Sequence, residues 1–128
     1  MLGSRTVAAM LPQKDLAVAS DFYENVLGLT KVQEGPDALV YQSGSSFAVV
    51  YPSEFAGTNQ ATAAAWSVGN EIESVVAGLK EKGVTFEHYD LPFLERDGDI
   101  HVIGGTFKAA WFKDPSGNIL SVVNQEPM

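Results

Sequence analysis

The chain has 128 residues, a formal net charge of −8 at pH 7 and no cysteine. This length predicts one domain with a sizeable core, and the lack of cysteine excludes disulfides, thiolate metal sites and a cysteine nucleophile. The eight lysines and arginines are scattered singly and no apolar run is long enough to span a bilayer, so we expect no nucleic-acid partner and no membrane partner. Without cysteine or an apolar leader, the chain is predicted to be soluble and cytoplasmic.

The first half of the chain predicts one strand, one helix and three further strands. Thr6 to Leu11 is a short apolar run that we expect Pro12 to end, because proline lacks a backbone donor. Asp15 is the expected N-cap of an amphipathic helix that closes at Gly28. The three strands that follow, separated by turn residues, are predicted at 30–34, 38–42 and 46–51.

The second half repeats this order after a polar, turn-rich linker at 53–61. A strand at 62–68 precedes a helix that we expect Asn70 to cap, with Glu73 three residues later completing a capping box and Gly83 closing the helix. In both predicted helices the closing glycine lies thirteen positions after the cap. The remaining predictions are strands at 84–88, 106–112 and 119–124, with an irregular stretch at 89–105.

The last two of these strands flank a segment with turn chemistry, Asp114-Pro115-Ser116-Gly117-Asn118. Proline fixes φ near the turn value, glycine permits a positive φ, and the Asp and Asn side chains accept from nearby backbone donors. The segment therefore predicts a β-hairpin. The whole pattern predicts an α+β fold of two tandem βαβββ modules, at 5–52 and 62–125, within a single domain at 1–128.

Two of these segments carry a family resemblance. Phe22-Tyr23 before Leu27-Gly28-Leu29, together with Trp111-Phe112-Lys113 before Asp114-Pro115-Ser116-Gly117-Asn118, resembles the vicinal oxygen chelate superfamily. That superfamily includes glyoxalase I, extradiol dioxygenases, fosfomycin-modifying enzymes and bleomycin resistance proteins. The resemblance implies one helix per module, curled mixed sheets that form a cleft, and a homodimer.

Catalytic members of the superfamily hold a divalent ion with His and Glu side chains in that cleft. On this chain the resemblance places the corresponding positions at Ala8, Ala48, Ala64 and Ser121. Alanine offers no lone pair, and one serine hydroxyl cannot hold a transition metal. The chain is therefore expected to belong to a subgroup that lacks the metal ligands, with no metal and no other cofactor.

A cleft without a metal leaves room for an organic ligand. If the metal-ligand positions point into the cleft, alternation along each strand sends every second side chain there as well. His101 joins these side chains if its loop folds over the cleft as a lid. The predicted ligand-binding residues are Met10, Ala8, Val50, Ala64, Trp66, His101, Trp111 and Ser121. For Trp66 and Trp111, ordinary core packing is an equal alternative.

The two histidines are the candidates for acid–base chemistry. His88 follows a carboxylate at the end of a predicted strand, although an exposed histidine in an acidic loop is the commoner situation. His101 alternates with Asp97 and Asp99, but the further ligands of a cation-binding loop are missing, so a solvated loop is the simpler interpretation.

Two function classes remain open from the sequence. The first is a metal-independent binding protein that sequesters or senses a small organic molecule, aromatic or cationic, in an apolar aromatic cleft, as the resemblance to bleomycin resistance proteins implies. The alternative is a glyoxalase- or dioxygenase-like enzyme. It would be a metal-independent lyase or isomerase that uses His101, His88 or a nearby carboxylate, or an enzyme whose metal ligands lie at other positions. The ligand itself depends on side-chain packing that no sequence pattern encodes.

Overall fold

A computed structural model describes residues 1–126, and residues 127 and 128 of the predicted domain lie outside that range. The fold is α+β, with two α-helices among the described residues, α1 (Leu16–Asp21) and α2 (Ile72–Glu81). No helix in the described range is long and apolar enough to cross a membrane. The strands are β1 (Ala8–Gln13), β2 (Thr30–Glu34), β3 (Leu39–Ser43), β4 (Ser46–Pro52), β5 (Thr62–Ser67), β6 (Phe86–Glu87), β7 (Leu94–Asp97), β8 (Ile100–Ile103), β9 (Phe107–Lys113) and β10 (Ile119–Val123).

The chain forms two compact units. Residues 1–60 and 114–118 make the first unit, and residues 61–113 with the chain from residue 119 onward make the second. Each unit has one mixed sheet and one α-helix. These two sheets and two helices confirm the predicted fold class.

The sheet of the first unit has the strand order β1-β4-β3-β2, with β1 parallel to β4 and the other pairs antiparallel. The sequence predicted that Pro12 would end β1. This prediction is wrong, because Pro12 lies inside the strand and pairs with Tyr51. Because β1 is an edge strand, one side of its backbone has no partner in this sheet, and a residue without an N–H group is tolerated there.

The first helix begins as predicted but changes its pitch. The Asp15 carboxylate accepts hydrogen bonds from the backbone N–H groups of Ala17 and Val18 at 2.9 and 3.1 Å, which confirms it as the N-cap. After Asp21 the chain continues as a π-helical turn over Phe22–Val26. The Tyr23 ring in this turn is fully buried, 6.1 Å from the ring of Tyr41.

The core of the first unit contains a buried carboxylate. Asp114 accepts hydrogen bonds at Oδ2 from the Gln13 amide, the Tyr23 hydroxyl and the Asn118 amide, each at 2.8 Å. Its Oδ1 accepts from the backbone N–H groups of Ser116 at 3.0 Å and Asn118 at 2.9 Å. The desolvated position and the adjacent carboxylate raise the pKa of Tyr23, so the phenol stays protonated and donates.

The sheet of the second unit repeats the order of the first. Its strands run β5-β10-β9-β8-β7, with β10 parallel to β5, so the first four correspond in order to β1-β4-β3-β2. The hairpin of β9 and β10 confirms the prediction made from the segment at 114–118. β7 has no counterpart in the first sheet, and the short β6 shares with β8 the strand position that corresponds to β2.

The sequence predicted an irregular segment at 89–105. The structure instead has an antiparallel pair of strands there, β7 and β8. β6 and β8 both pair with β9, and they do so at successive places along it: Glu87 lies opposite Trp111, and His101 lies opposite Ala109. One strand position is therefore filled in two pieces. We call the residues between them, 88–99, the insertion.

The start of the second helix also differs from the prediction. Asn70 does not cap it but lies inside a 3₁₀ turn, Gly69–Glu71, that leads into α2. The turn starts at Gly69, whose φ of 57° favours glycine, and whose N–H group donates to the Gln125 carbonyl at 2.8 Å. The turn before α2 is thus held by a contact distant in sequence, and no side chain among the described residues caps the helix, so the capping-box spacing is not used.

The buried carboxylate generates a stability prediction. We expect Asp114→Ala to lower the free energy of unfolding by about 3 kcal/mol, because it removes the acceptor of the buried Tyr23 hydroxyl and one of the two acceptors of the buried Gln13 amide. Asp37→Ala, at an exposed turn position, is the matched control and is expected to change it by less than about 0.5 kcal/mol. Urea unfolding followed by circular dichroism measures both, and equal effects would contradict the assigned role of Asp114.

A second prediction concerns the close approach of two loops in the first unit. A Cβ atom at Gly57 would lie 2.1 Å from the backbone oxygen of Ser116, and the φ of Gly57 is +76°. At Gly44 the φ is +57° but no atom lies within 4 Å of such a Cβ. Gly44→Ala is therefore expected to cost about 1 kcal/mol, from backbone conformation alone, and Gly57→Ala clearly more. Melting temperatures compare the two, and an equal loss would show that the loops do not pack as described.

Candidate functional site

The register of the first sheet separates the predicted ligand residues of that unit. Cα partners in neighbouring strands carry their side chains on the same face. Met10 pairs with Val49 and Leu11 pairs with Val50, so Val50 lies on the face opposite to Ala8 and Met10. The expectation that Val50 shares a face with these two residues is wrong. It requires Met10 to lie opposite Val50, whereas Met10 lies opposite Val49, one residue earlier in β4. Val50 is fully buried, whereas Met10 is exposed.

The second sheet has one face toward α2, and we call the opposite face the far face. The Nζ atom of Lys108 lies 2.8 Å from Oε1 of Glu73 in α2, which places the Lys108 side of β9 toward the helix. The neighbouring residues of β9 alternate with Lys108, and their cross-strand partners share their orientation. The far face therefore carries Ala109 and Trp111 with their partners His101 and Ser121.

Two other predicted residues lie on the α2 side. Ala64 and Trp66 pair with Leu120 and Val122, the residues on either side of Ser121 in β10. The expected grouping of Ala64 and Trp66 with Ser121 is therefore wrong. Of the predicted set in this unit, His101, Trp111 and Ser121 are brought together on one face.

His101 is the buried polar centre of the far face. It lies in β8 and is fully buried, so the expectation of a solvated loop or lid at this residue is wrong. Its Nε2 atom accepts a hydrogen bond from the backbone N–H group of Tyr89 at 2.9 Å. Its Nδ1 atom is buried and has no hydrogen-bond partner within the described residues. Burial, followed by the charges of His88 and Arg96, lowers the pKa of His101.

The rings of Tyr89, His101 and Trp111 pack against one another on the far face. The centroid of Trp111 lies 5.0 Å from that of His101 and 5.4 Å from that of Tyr89, both in edge-to-face geometry. The Tyr89 and His101 centroids are 5.9 Å apart. Tyr89 and Trp111 are half-buried, so part of each ring remains accessible. We call Tyr89, His101 and Trp111 the aromatic cluster.

A further hydrogen bond fixes the orientation of the indole. The Nε1–H group of Trp111 donates to the Thr62 hydroxyl at 3.1 Å. The ring therefore has its polar atom satisfied and presents carbon surface elsewhere. Sequence reasoning missed both Thr62 as a partner and Tyr89 as a member of the cluster, because neither follows from the alternation of a single strand. The only sequence signal for Tyr89 is an aromatic residue at the point where a strand pattern stops.

Charged groups beside the cluster are paired with one another. Asp99 lies 2.7 Å from Lys80 Nζ and 2.7 Å from Nε2 of His88, and these contacts lower the pKa of Asp99. Nη1 of Arg96 lies 3.1 Å from Nδ1 of His88. The Asp99 carboxylate can only accept, so Nε2 of His88 must donate to it. The Arg96 guanidinium can only donate, so Nδ1 of His88 must accept from it. The neutral His88 ring therefore carries its proton on Nε2. His88 is exposed, as the sequence suggested.

The residues that the family resemblance assigns to the metal positions do not fit a metal ion, and the sheet registers put Ala48 on the face opposite to Ala8 and Ala64 on the face opposite to Ser121. Ala8, Ala48 and Ala64 provide no donor atom, and the Ser121 hydroxyl is buried, with a long 3.5 Å contact to the Val122 carbonyl. Within residues 1–126 no group of three or more His, Asp or Glu side chains is arranged to hold a metal. Ions such as Zn²⁺ and Ni²⁺ need several imidazole or carboxylate ligands.

This misfit gives a direct prediction. Protein produced without a histidine tag and purified without chelator is expected to contain far less than one transition-metal ion per chain by plasma mass spectrometry. Addition of Ni²⁺, Zn²⁺ or Mn²⁺ is expected to leave its melting temperature unchanged, because binding to the native state alone would raise it. One equivalent of metal that survives dialysis would contradict the misfit.

The family and its fold are shown by comparison with known proteins. Residues 5–122 match the family described as the Glyoxalase/Bleomycin resistance protein/Dioxygenase superfamily. No curated protein sequence matches the chain.

Similar structures include a bleomycin resistance determinant encoded on the transposon Tn5, with a TM-score of 0.72, 18% identity and coverage of 96% of this chain and 99% of the other. Lactoylglutathione lyase from Agrobacterium tumefaciens gives a TM-score of 0.70 at 16% identity, over 94% and 92% of the chains. The fosfomycin resistance protein FosX from Listeria monocytogenes gives 0.68 at 13%, over 100% and 95%. These identities establish the fold alone, whereas the family match covers nearly the whole chain, so the chain belongs to the glyoxalase/bleomycin resistance protein/dioxygenase superfamily.

Proposed function

We propose that the protein is a metal-independent binding protein that sequesters or senses a small organic molecule on its aromatic cluster. The observation that carries this proposal is the pair of half-exposed rings, Tyr89 and Trp111, 5.4 Å apart at an interplanar angle of 71°. Trp111 is oriented by Thr62, and the backbone of Tyr89 is held by His101. The ligand surface is therefore organised before a ligand arrives.

Such a pair suits a flat ligand. A planar ring that stacks on one of two nearly perpendicular aromatic rings meets the other edge to face, and both arrangements are favourable. Rings that are already fixed lose little conformational freedom on binding, which benefits affinity. The charges nearby are paired, Glu87 with Lys113 and Asp99 with Lys80, so shape and ring contact are proposed to dominate over a single ion pair.

Two of the similar structures are named for resistance, a role that binding alone can fill. One similar structure is named a bleomycin resistance determinant, and another a fosfomycin resistance protein. The misfit of the metal positions favours binding over the metal-dependent chemistry of the superfamily. Sequestration or sensing needs only the ligand surface described here.

A second candidate is a lyase or isomerase that uses His88 as a base. The 2.7 Å contact between His88 and Asp99 favours it, because a carboxylate orients an imidazole for proton transfer. Against it, the remaining ring nitrogen of His88 faces Arg96 at 3.1 Å and accepts from it. Conversion of a bound compound that is abolished by His88→Gln would support this candidate.

We also propose that the protein acts in the cytoplasm as a homodimer. The absence of cysteine is compatible with a reducing compartment, and the family resemblance is the basis for the dimer. Light scattering of the purified protein tests the oligomeric state.

The binding proposal is tested with two tricyclic probes, phenazine, which is neutral, and N-methylacridinium, a cation of similar size. We expect at least one of them to bind by isothermal titration calorimetry at about pH 8. Trp111→Ala is expected to weaken that binding at least about tenfold, because it removes the stacking surface. Trp111→Phe, which keeps an aromatic ring, should lose less.

Trp66→Phe is the matched control, because Trp66 lies on the α2 side of the sheet and is expected to leave affinity unchanged. Equal losses from Trp66→Phe and Trp111→Ala would contradict the location of the site. Failure of both probes to bind would contradict the proposal that this cluster accepts planar ligands.

A further inference from the structure

We propose that His101 is a positioning residue: its neutral imidazole holds the backbone of Tyr89, this contact keeps the Tyr89 ring beside Trp111, and protonation of His101 releases Tyr89. The effect on a ligand rests on the proposed binding function, whereas the contact between His101 and Tyr89 does not. His101 itself is fully buried, so its role is exerted through Tyr89.

The strand beside β9 is interrupted between β6 and β8, and this interruption leaves the backbone of Tyr89 in need of the contact with His101. β6 leaves the edge of β9 after Glu87, and β8 returns to it at Ile100 and His101. Tyr89, in the insertion, is no longer held by a backbone ladder. Its N–H group instead donates to Nε2 of His101 at 2.9 Å. A side chain of the returning strand thus replaces the missing ladder bond.

This hydrogen bond fixes the tautomer of the ring. A backbone N–H group can only donate, so Nε2 must be the unprotonated acceptor and the proton lies on Nδ1. Protonation places hydrogens on both nitrogens, and Nε2 then has no lone pair for Tyr89. The contact can therefore exist only in the neutral form.

The groups around the ring favour the neutral form. From the insertion, His88, Tyr89 and Asp90 face it, from β7 Arg96 faces it, and from β9 the backbone of Ala109 lies close without making a well-formed hydrogen bond to Nδ1. Burial, then His88 and Arg96, lower the pKa of His101, while Ala109 and Asp90 oppose this. The lowered pKa means that the contact persists at neutral pH and is lost only in acid.

The sign for stability follows from the same shift. An unfolded histidine takes up its proton near about pH 6.5, before the folded one does. The unfolded state therefore binds more protons as the pH falls from there to the folded pKa, and the folded state loses stability over that window.

The first experiment reads the contact without any ligand. Nitrogen-15 NMR of the two imidazoles at about pH 7.5 is expected to show His101 as the Nδ1–H tautomer and His88 as the Nε2–H tautomer. The Tyr89 amide is expected to be protected from hydrogen exchange there and to lose protection as His101 protonates. An Nε2–H tautomer for His101, or an unprotected Tyr89 amide, would overturn the proposal.

The second experiment reads the ligand. Affinity for whichever of phenazine and N-methylacridinium binds is expected to fall at least about tenfold between about pH 8 and an acidic pH at which NMR shows His101 protonated in the folded protein, a range over which the charge of neither probe changes. His101→Gln supplies an amide oxygen near the position of Nε2 and should bind at both pH values with the affinity of the wild type at the higher one. His101→Leu, which supplies no acceptor, should bind weakly at both.

His88→Gln is the matched control and should still lose affinity in acid, at the same or a higher pH than the wild type, because His88 is one of the groups that lower the pKa of His101. Retention of the pH dependence in His101→Gln, or its loss in His88→Gln, would overturn the proposal. If neither probe binds at either pH, the binding function fails, and the exchange of the Tyr89 amide still decides whether His101 holds Tyr89.

Discussion

Asp114 is 4% exposed and accepts five hydrogen bonds, none of them from a charged group. A carboxylate in such a position is tolerable only while neutral donors replace its water shell. Those donors come from β1, from the π-helical turn and from residues 114–118 themselves. The strand, the helix and the hairpin turn of the first unit must therefore reach one another correctly, because any donor that is misplaced leaves buried polar atoms unsatisfied.

Elements with a local physical signal could be predicted from the sequence. Asp15 was recognisable as a cap because its carboxylate acts on donors two and three residues away, and the turn at 114–118 because proline, glycine, Asp and Asn restrict the backbone by themselves. Asn70 shows the limit of such signals. Its spacing to Glu73 fits a capping box, but Asn70 lies inside a 3₁₀ turn whose first residue, Gly69, bonds to Gln125, more than fifty residues away.

The faces of the strands could not be predicted with the same success. A shift of one residue exchanges the two faces of a strand. The parallel pairing of β1 with β4 puts Val50 beside Leu11, and a register shift between Ile119 and Leu120 puts Trp66 beside Val122. The alanines at 63–65 give no polarity signal that would have revealed the shift. Tyr89 lies beside Trp111 because the strand next to β9 is interrupted between β6 and β8. This interruption depends on how the whole sheet pairs, so no short segment of sequence predicts it.

The insertion at 88–99 contributes Tyr89 but none of the paired residues of β9 and β10. An exchange of this segment would therefore alter the proposed ligand surface while the pairing of β8, β9 and β10 keeps its pattern. Substitutions at the exposed positions of this segment would then change the side chains beside Trp111, while the backbone of Tyr89 keeps its contact with His101.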